Sequence, residues 1–178
     1  MDLTEKKQAE ELVYDGTLLK IWRTKVILAD GTETFREWIN HPGASAVIPV
    51  FTGGDTLLVR QFRYPIGRET LEIPAGKLDP DETPLVCAAR ELSEETGLVG
   101  GELLKVGSVM TTPGFTNEVI HIFVCRDPLP GPAHPDEGEF VNGLRLSVDE
   151  VFQRIMEGRI QDGKTIIAFL FARAQGLL

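Results

Sequence analysis

The sequence predicts an α/β fold, in which a mixed sheet is covered by helices on both faces and preceded by a small N-terminal antiparallel β-meander. Three observations lead to this expectation. Residues 10–40 carry β-rich stretches separated by two Asp-Gly pairs. From Ala44 onward, short apolar strands surround one helical stretch. Two further helical stretches close the chain.

The meander is predicted within a first domain, residues 1–42. Its candidate strands read ELVYDG, LLKIWRTKVIL and TETFREWIN. Asp-Gly at positions 15–16 and 30–31 is a strong short-range signal for hairpin turns. So small a sheet has little core of its own, and we expect it to pack on the rest of the chain or on a partner subunit.

The second predicted domain, residues 43–178, begins with the strands SAVIPVF, TLLVRQFRY and ETLEIPAGKL. A helix is expected from about Pro84 to Thr96, because proline suits a first helical turn and Gly97 suits a C-terminal cap. The strands GELLKVGSVM, EVIHIFVCRD and FVNGLRLS follow. The helices SVDEVFQRIMEG, opened by a serine cap, and DGKTIIAFLFARAQ complete the domain. This order alone leaves the strand pairing open.

Composition and charge exclude several classes of function. With 42% hydrophobic and 25% charged residues, the chain has the composition of a globular protein rather than a disordered one. A formal net charge of -9 argues against non-specific nucleic-acid binding and against docking on anionic membranes, since both depend on basic residues. Small phosphorylated molecules remain compatible if a divalent cation reverses the local charge.

The chain is expected to be cytoplasmic. Its first residues, MDLTEKKQAEELVYDG, are charged throughout, and no run reaches the ~18 apolar residues of a membrane span. The two cysteines, Cys87 and Cys125, lie in apolar surroundings and are predicted to be reduced core residues rather than a disulfide or a metal pair.

Three glutamates are crowded on one turn of the predicted helix. Glu91, Glu94 and Glu95 are spaced i, i+3 and i+4, so that Glu91 faces both of the others. Like charges at this spacing destabilise a helix, and the dipole near its C-terminus adds to the cost. One interpretation is a solvated helix face. The other is a site for a hard cation such as Mg²⁺, which prefers carboxylate oxygens.

The spacing around these glutamates favours the cation site. From Gly76 to Leu98 the sequence reads GKLDPDETPLVCAARELSEETGL. It resembles the Nudix box, G-x5-E-x7-R-E-U-x-E-E-x-G-U with U aliphatic, at all nine fixed positions. From average residue usage, such a match arises by chance with a probability of about 10⁻⁷. The resemblance implies a Nudix α/β/α sandwich that hydrolyses a nucleoside diphosphate linked to another moiety, with Mg²⁺ or Mn²⁺.

The resemblance also implies metal ligands. Glu91 and Glu95 match the main ligands, Glu94 matches a further ligand or a water-activating group, and the Ala75 carbonyl matches another ligand. A metal in this position would neutralise the diphosphate oxygens, which otherwise repel hydroxide, and would lower the pKa of a bound water.

The remaining box residues match structural and orienting positions. Arg90 is expected to hold carboxylates bidentately and to fix the helix against the loop that carries Glu82. Gly76 is expected to allow a backbone turn, and Gly97 is expected to end the helix.

Outside the box, the chain resembles the ADP-ribose pyrophosphatase branch of the family. The similarity runs from TFREWINHPGASAVIPV through VRQFRYPIGRETLEIPAGKLD and TTPGFTNEVIHIF to the C-terminal helix. Pro113 matches a proline that marks this branch, although a loop proline alone is more often a turn residue. The expected substrate contacts are Arg36 and Glu37 of REW, Arg63 of QFRYP, and Pro113, Gly114 and Phe115 of TTPGF.

Other residues have alternative interpretations. An exposed arginine such as Arg63 can equally be half of a surface salt bridge. Trp22, Trp38 and Phe115 could stack on a base, but aromatic residues in strands belong more often to the core. His41 and His121 lack a second ligand at metal spacing and are predicted to be structural.

The loop AHPDEGEF carries Glu137 and Glu139, where this branch has the glutamate that activates the attacking water. Glu137 is the expected base and Glu139 a neighbouring or metal-directed carboxylate; a solvated acidic loop is the alternative.

The resulting hypothesis is a Mg²⁺-dependent hydrolase that splits ADP-ribose into AMP and ribose 5-phosphate. An alternative substrate is another nucleoside diphosphate sugar such as GDP-mannose, or a dinucleotide such as NADH. A Nudix-fold module that binds a nucleotide without cleaving it is a third hypothesis, which the intact glutamates oppose. The resemblance implies a homodimer in which the meander crosses to the partner subunit and helps to complete its active site.

Overall fold

The computed structural model describes residues 2–132 and 140–178. The chain forms two compact units. The first consists of Met1–Gly43 together with Met110–Val119, and the second consists of Ala44–Val109 together with Ile120–Leu178. The segment Met110–Val119 therefore belongs to the same unit as the meander, which the sequence did not predict.

The first unit is built on a three-stranded antiparallel sheet in the order β1-β2-β3. Its strands are β1 (Lys6–Asp15), β2 (Lys20–Ile27) and β3 (Glu33–Ile39). The turns between them contain the two Asp-Gly pairs. The backbone N–H of Ile39 donates to the carbonyl of Phe115 (2.8 Å), which attaches the segment Met110–Val119 to the end of β3.

The second unit contains the mixed sheet. Its strands are β4 (Ala44–Phe51), β5 (Asp55–Arg63), β6 (Arg68–Glu72), β7 (Ala75–Lys77), β9 (Glu102–Met110), β10 (Val119–Arg126) and β12 (Asn142–Ser147). Outside this sheet, β8 (Leu98–Val99) and β11 (Leu129–Pro130) form a separate two-stranded ladder. The main order is β12-β5-β4-β10-β9, with β6 paired to β5 and β7 paired to β4. Strand β10 runs parallel to β4, whereas β5 and β7 are antiparallel to it.

The predicted strand ETLEIPAGKL is two strands in the structure. Strands β6 and β7 are separated at Ile73 and Pro74 and pair with different neighbours. Proline cannot donate a ladder hydrogen bond, so the pairing changes at this point. The break delivers Ala75 and Gly76 to the edge of β4.

In the part of the chain that the structure describes, three helices cover the sheet, namely α1 (Pro84–Thr96), α2 (Val148–Met156) and α3 (Gly163–Ala174). Each begins at a side-chain cap, because the oxygens of Thr83, Ser147 and Asp162 accept hydrogen bonds from backbone N–H groups in the first turn. These caps fix where each helix enters the structure.

The alternation of side chains along the strands divides the core between the two faces of the sheet. Ala46 and Ile48 of β4 face a large cluster that includes Val151 of α2 and Phe169 of α3. Val47, between them, faces a smaller cluster with Leu92 of α1. The helices therefore lie on both faces, and the predicted α/β sandwich with a mixed sheet is confirmed.

Both cysteines are buried and free, as predicted. Burial raises the pKa of each thiol to about 11, so both stay protonated at neutral pH. Among residues 2–132 and 140–178, no helix combines the length and the apolar character needed to cross a membrane.

Candidate active site

Helix α1 carries the crowded glutamates and is fixed at both ends. The Thr83 hydroxyl accepts a hydrogen bond from the N–H of Val86 (3.4 Å) at its start. Gly97 ends it in the left-handed region (φ 68°), where glycine is favoured, and donates its N–H to the Ser93 carbonyl (2.8 Å). The register of the glutamates is thereby set relative to the sheet.

Two of the three glutamates lie on the buried side of α1. Glu91 and Glu95 are each only 8% exposed, and they share this side with the core residues Ala88 and Leu92. Glu94 is half-buried. The interpretation of a solvated helix face is therefore wrong for Glu91 and Glu95, since exposed charges do not lie beside a packed core.

Arg90 binds the loop that precedes the helix. Its Nε and Nη2 donate to the two carboxylate oxygens of Glu82, each at 2.9 Å, in a bidentate pair. Nη2 also donates to the Lys77 carbonyl at 3.0 Å. The arginine thus joins α1 to the loop carrying Glu82 and to the end of β7.

The same guanidinium neutralises two of the crowded glutamates. Nη1 of Arg90 donates to Oε1 of Glu91 (2.7 Å) and to Oε2 of Glu94 (2.8 Å). The hydrogen bonds from Arg90 hold the pKa of Glu82 at about 2, and the bonds to Glu82 and then to Glu94 raise the pKa of Arg90 itself. Glu82 and Arg90 are therefore both charged at neutral pH.

Gly76 is needed for a close approach rather than for a turn. It lies in β7, and its backbone does not have the positive φ angle that would require glycine. A Cβ at this position would lie 1.9 Å from Oε1 of Glu91. The absent side chain therefore leaves the space that the Glu91 carboxylate fills, directly against the strand that begins at Ala75.

The donor set around this carboxylate suits a hard divalent cation. Glu91, Glu94 and Glu95 offer carboxylate oxygens and Ala75 offers a carbonyl, which are the ligands that Mg²⁺ prefers. Within residues 2–132 and 140–178, no three acidic, histidine or cysteine side chains converge at metal-binding distance. Arg90 binds two of the carboxylates, those of Glu91 and Glu94. The residues fit the cation by their chemistry, and the space beside Gly76 allows a carboxylate to approach the backbone.

A second charged cluster lies in the same compact unit and centres on Glu72, which is 1% exposed. Nε and Nη2 of Arg63 donate to its two oxygens at 2.8 and 2.6 Å. Lys164 and the Thr70 hydroxyl also donate to the Glu72 carboxylate. Arg63 thus forms an ion pair, as its alternative interpretation proposed, but with a buried partner.

Arg63 also faces a cavity of about 480 Å³. Its lining includes Arg68, Gln161 and Lys164. The hydrogen bonds that Arg63 donates to Glu72 raise the pKa of Arg63, and the charge of Glu95 makes a smaller contribution in the same direction. The guanidinium is therefore within electrostatic range of the Glu95 carboxylate on α1.

The ionisation of Glu72 makes the stability of the fold depend on pH in the acid range. Burial opposes its ionisation, but Arg63 and Lys164 outweigh burial and lower its pKa from 4.5 to about 2. Because the folded pKa is depressed, the stabilisation is complete above pH 4.5 and is lost as pH falls toward 2. The shift corresponds to about 3 kcal/mol of unfolding free energy.

We accordingly expect Glu72→Gln to lower the free energy of unfolding, and to lower it more at neutral pH than at acid pH. The difference in unfolding free energy, measured with urea, should shrink by about 2 kcal/mol between about pH 6 and pH 3. A difference that stays constant over this range would show that the Glu72 carboxylate is not the titrating group.

Five of the expected substrate contacts line one cavity in the first unit. This cavity, of about 660 Å³, is bordered by Arg36, Glu37, Pro113, Gly114 and Phe115. The REW and TTPGF segments are far apart in sequence, and the bond between Ile39 and Phe115 brings them together. The structure thus groups these candidates in one unit and Arg63 with the box glutamates in the other.

The candidate contact residues of the first unit differ in whether their side chains are already bound to other residues of the chain. Arg36 donates to both carboxylate oxygens of Glu5 (2.6 and 3.1 Å). Phe115 is exposed. Trp22 and Trp38 stack on each other with centroids 6.5 Å apart, as expected of aromatic residues paired across adjacent strands.

His41 and His121 have local partners. Nδ1 of His41 accepts from the N–H of Gly43 (3.0 Å), and its Nε2 lies 3.5 Å from a Glu118 carboxylate oxygen. Nδ1 of His121 is 2.8 Å from the Ser108 hydroxyl. Glu137 and Glu139, the candidate bases, lie outside the described residues.

Sequence reasoning did not single out Glu72 or Lys164. A charged residue inside the apolar stretch TLEIPAG was a signal for Glu72. Lys164 gave none, since a lysine in the first turn of a helix is normally a solvated side chain, and 92 residues separate it from Glu72.

Comparison with known proteins shows the family of the chain. The NUDIX domain model matches residues 40–169. A methanol dehydrogenase activator of Bacillus methanolicus is 39% identical over 176 residues, covering 98% of this chain and 95% of the relative. An ADP-ribose pyrophosphatase of Bacillus subtilis (strain 168) is 35% identical over 178 residues, covering 99% and 96%. A crystal structure of an ADP compounds hydrolase superposes with a TM-score of 0.86 at 20% identity, covering 98% and 96% of the two chains.

Proposed function

The chain belongs to the Nudix family, and from this premise we propose that it hydrolyses the diphosphate linkage of ADP-ribose to give AMP and ribose 5-phosphate. The observation that carries the reaction class is the buried position of Glu91, whose carboxylate lies over Gly76 beside its neighbours on α1. The choice of ADP-ribose is supported by the Bacillus subtilis relative, which spans nearly the whole chain.

Members of this family generally use divalent metal ions, and we propose Mg²⁺ for this protein. Glu91, Glu94 and Glu95, with the Ala75 carbonyl, would hold it. When bound, the cation supplies charge neutralisation for the diphosphate and acidifies a water molecule.

The side chains of this protein have separate tasks in the proposal. Arg90 orients Glu91 and Glu94 and balances their charge, so that the carboxylates are preorganised before the substrate enters. Arg63 binds a phosphate oxygen. Glu137 accepts the proton of the attacking water, and Glu139 assists as a neighbouring carboxylate.

We further propose a cytoplasmic homodimer in which the first unit of one subunit completes the site of the other, with Arg36, Glu37 and the TTPGF segment contacting substrate. Support comes from β1, all ten residues of which are exposed, including Leu12, Val13 and Tyr14. Such a surface is typical of an interface. The two buried, protonated thiols suit a reducing compartment. A monomer in sedimentation equilibrium at micromolar concentration would refute the dimer.

A panel of substrates tests the reaction. ADP-ribose, GDP-mannose and NADH are incubated with the protein and Mg²⁺, and the released mononucleotide is measured. ADP-ribose is expected to have the highest kcat/KM, and EDTA is expected to abolish turnover. Tight binding of these compounds without turnover would instead support a nucleotide-binding module.

A second candidate function is activation of a methanol dehydrogenase. It is favoured by the 39% identity to the Bacillus methanolicus relative. Adding the protein with Mg²⁺ to a purified bacillary methanol dehydrogenase should then raise the rate of alcohol oxidation, and an unchanged rate would exclude this candidate.

A further inference from the structure

The Glu72 cluster is more elaborate than stability requires. One buried carboxylate receives hydrogen bonds from Arg63, Lys164 and Thr70. Replacing a whole buried ion pair by apolar side chains of similar volume is often neutral for stability, because the desolvation of both charges offsets their attraction, whereas removing only one partner is costly. This arrangement therefore invites an explanation beyond folding.

Lys164 is itself firmly held. Only 12% of its side chain is exposed, and its Nζ donates to Asp162 at 3.1 Å as well as to Glu72. Asp162 also caps α3 by accepting from the N–H of Thr165 (2.9 Å). The Thr165 hydroxyl in turn accepts from the N–H of Ile73 (2.9 Å). The start of α3 is thus attached to two consecutive residues, Glu72 and Ile73, at the end of β6.

Arg63 differs from Lys164, because one edge of its guanidinium is bound to Glu72 while much of the side chain remains exposed. Its Nε and Nη2 are bound to Glu72, yet 43% of its side chain is exposed. It lines the cavity of about 480 Å³. A guanidinium anchored in this way keeps a defined plane while other parts of it can reach a ligand.

We infer that Lys164 is a positioning residue, which fixes the Glu72 carboxylate and thereby sets the plane in which Arg63 binds a substrate phosphate. The inference rests on the proposed function, which gives Arg63 its phosphate. It adds a role for a residue on α3, a helix that carries none of the box residues.

Charge balance supports this role. Arg63 and Lys164 carry two positive charges against the two negative charges of Glu72 and Asp162. Without Lys164, Arg63 and Arg68 would be the cations that line the cavity, against the carboxylates of Glu72 and Asp162. Arg63 would then be drawn more strongly to Glu72, and an incoming phosphate would meet a less positive cavity.

A double-mutant cycle separates positioning from independent effects. Lys164→Met is expected to lower kcat/KM for ADP-ribose by about tenfold, and Arg63→Lys by about 30-fold, the scale of a misplaced or lost charge-assisted contact. If Lys164 acts through Arg63, the double variant should be within about twofold of Arg63→Lys alone. Effects that multiply would overturn the inference.

Two further variants serve as controls for the double-mutant cycle. Lys164→Arg keeps the charge and is expected to retain kcat/KM within about threefold. Lys105→Met removes an exposed lysine from β9 and serves as the matched control, with unchanged kinetics expected. If Lys164→Met does not fold, Lys164→Gln takes its place in the same cycle, and multiplying effects there overturn the inference equally.

A measurement without turnover distinguishes this inference from the proposed function. The Arg63 Nε–H resonance, identified by its loss in Arg63→Lys, is recorded in the absence of substrate. It should shift and broaden in folded Lys164→Met and stay unchanged in Lys105→Met. An unchanged resonance in folded Lys164→Met would overturn the inference, whereas a failed substrate panel would overturn only the proposed hydrolysis.

Discussion

Replacing Glu95 with glutamine is expected to lower kcat for ADP-ribose by about 10³-fold or more while the fold is retained. Glutamine has nearly the same shape, so the packing of this buried position beside Leu92 is preserved. The amide lacks the charge that a divalent cation requires from its ligand. Steady-state kinetics at saturating Mg²⁺ measure the loss.

Thermal unfolding gives an independent test of the same variant. Without metal, Glu95→Gln should still unfold cooperatively, since glutamine keeps the shape of the buried side chain. The rise in Tm on adding Mg²⁺ should be reduced, because ligand-induced stabilisation follows affinity. Glu102→Gln, at an exposed position at the start of β9, is the control. A merely twofold loss of kcat would remove Glu95 from the metal site.

Gly76→Ala should impair both stability and turnover, although alanine is ordinarily the better residue in a strand. The new Cβ would lie 1.9 Å from Oε1 of Glu91 and 2.1 Å from its Cδ, so the carboxylate must move. We expect a loss of about 1–3 kcal/mol in unfolding free energy, as for other overpacked sites. We expect kcat to fall at least about 100-fold, since Glu91 leaves its place.

Gly107→Ala is the matched control for this substitution. A Cβ at Gly107 in β9 would meet the Phe171 ring at 3.6 Å, which is an ordinary van der Waals contact. This variant should keep its Tm and its kcat. Equal behaviour of the two alanine variants would mean that the space beside Gly76 is not required by Glu91.

Prediction from sequence succeeded where the determining interactions are local. The limits of α1 follow from a threonine cap, a proline in the first turn and a glycine at the end. The contacts of Arg90 with Glu91 and Glu94 lie within one helical turn, and its contact with Glu82 spans only eight residues. The strong hairpin signals likewise predicted the meander.

Prediction was incomplete where the pattern carried no information. Strand β1 begins at Lys6, earlier than expected, because a strand exposed on both faces shows no alternation of apolar and polar residues. The sequence predicted a turn at Gly76, whereas the structure shows that the glycine makes room for the Glu91 side chain. Glu91 lies fifteen positions further along the chain, and the local sequence around Gly76 does not indicate that the two residues meet.

The sequence by itself determined the family and the reaction chemistry, since the spacing of the box glutamates and of Arg90 is fixed by helix periodicity. Only the tertiary structure decided that Glu91 and Glu95 face inward and that Gly76 makes room for one of them. It also decided that Lys164 meets Glu72 across 92 residues. These contacts depend on how β6, β7 and the helices pack, and packing between distant segments is not encoded in any local pattern.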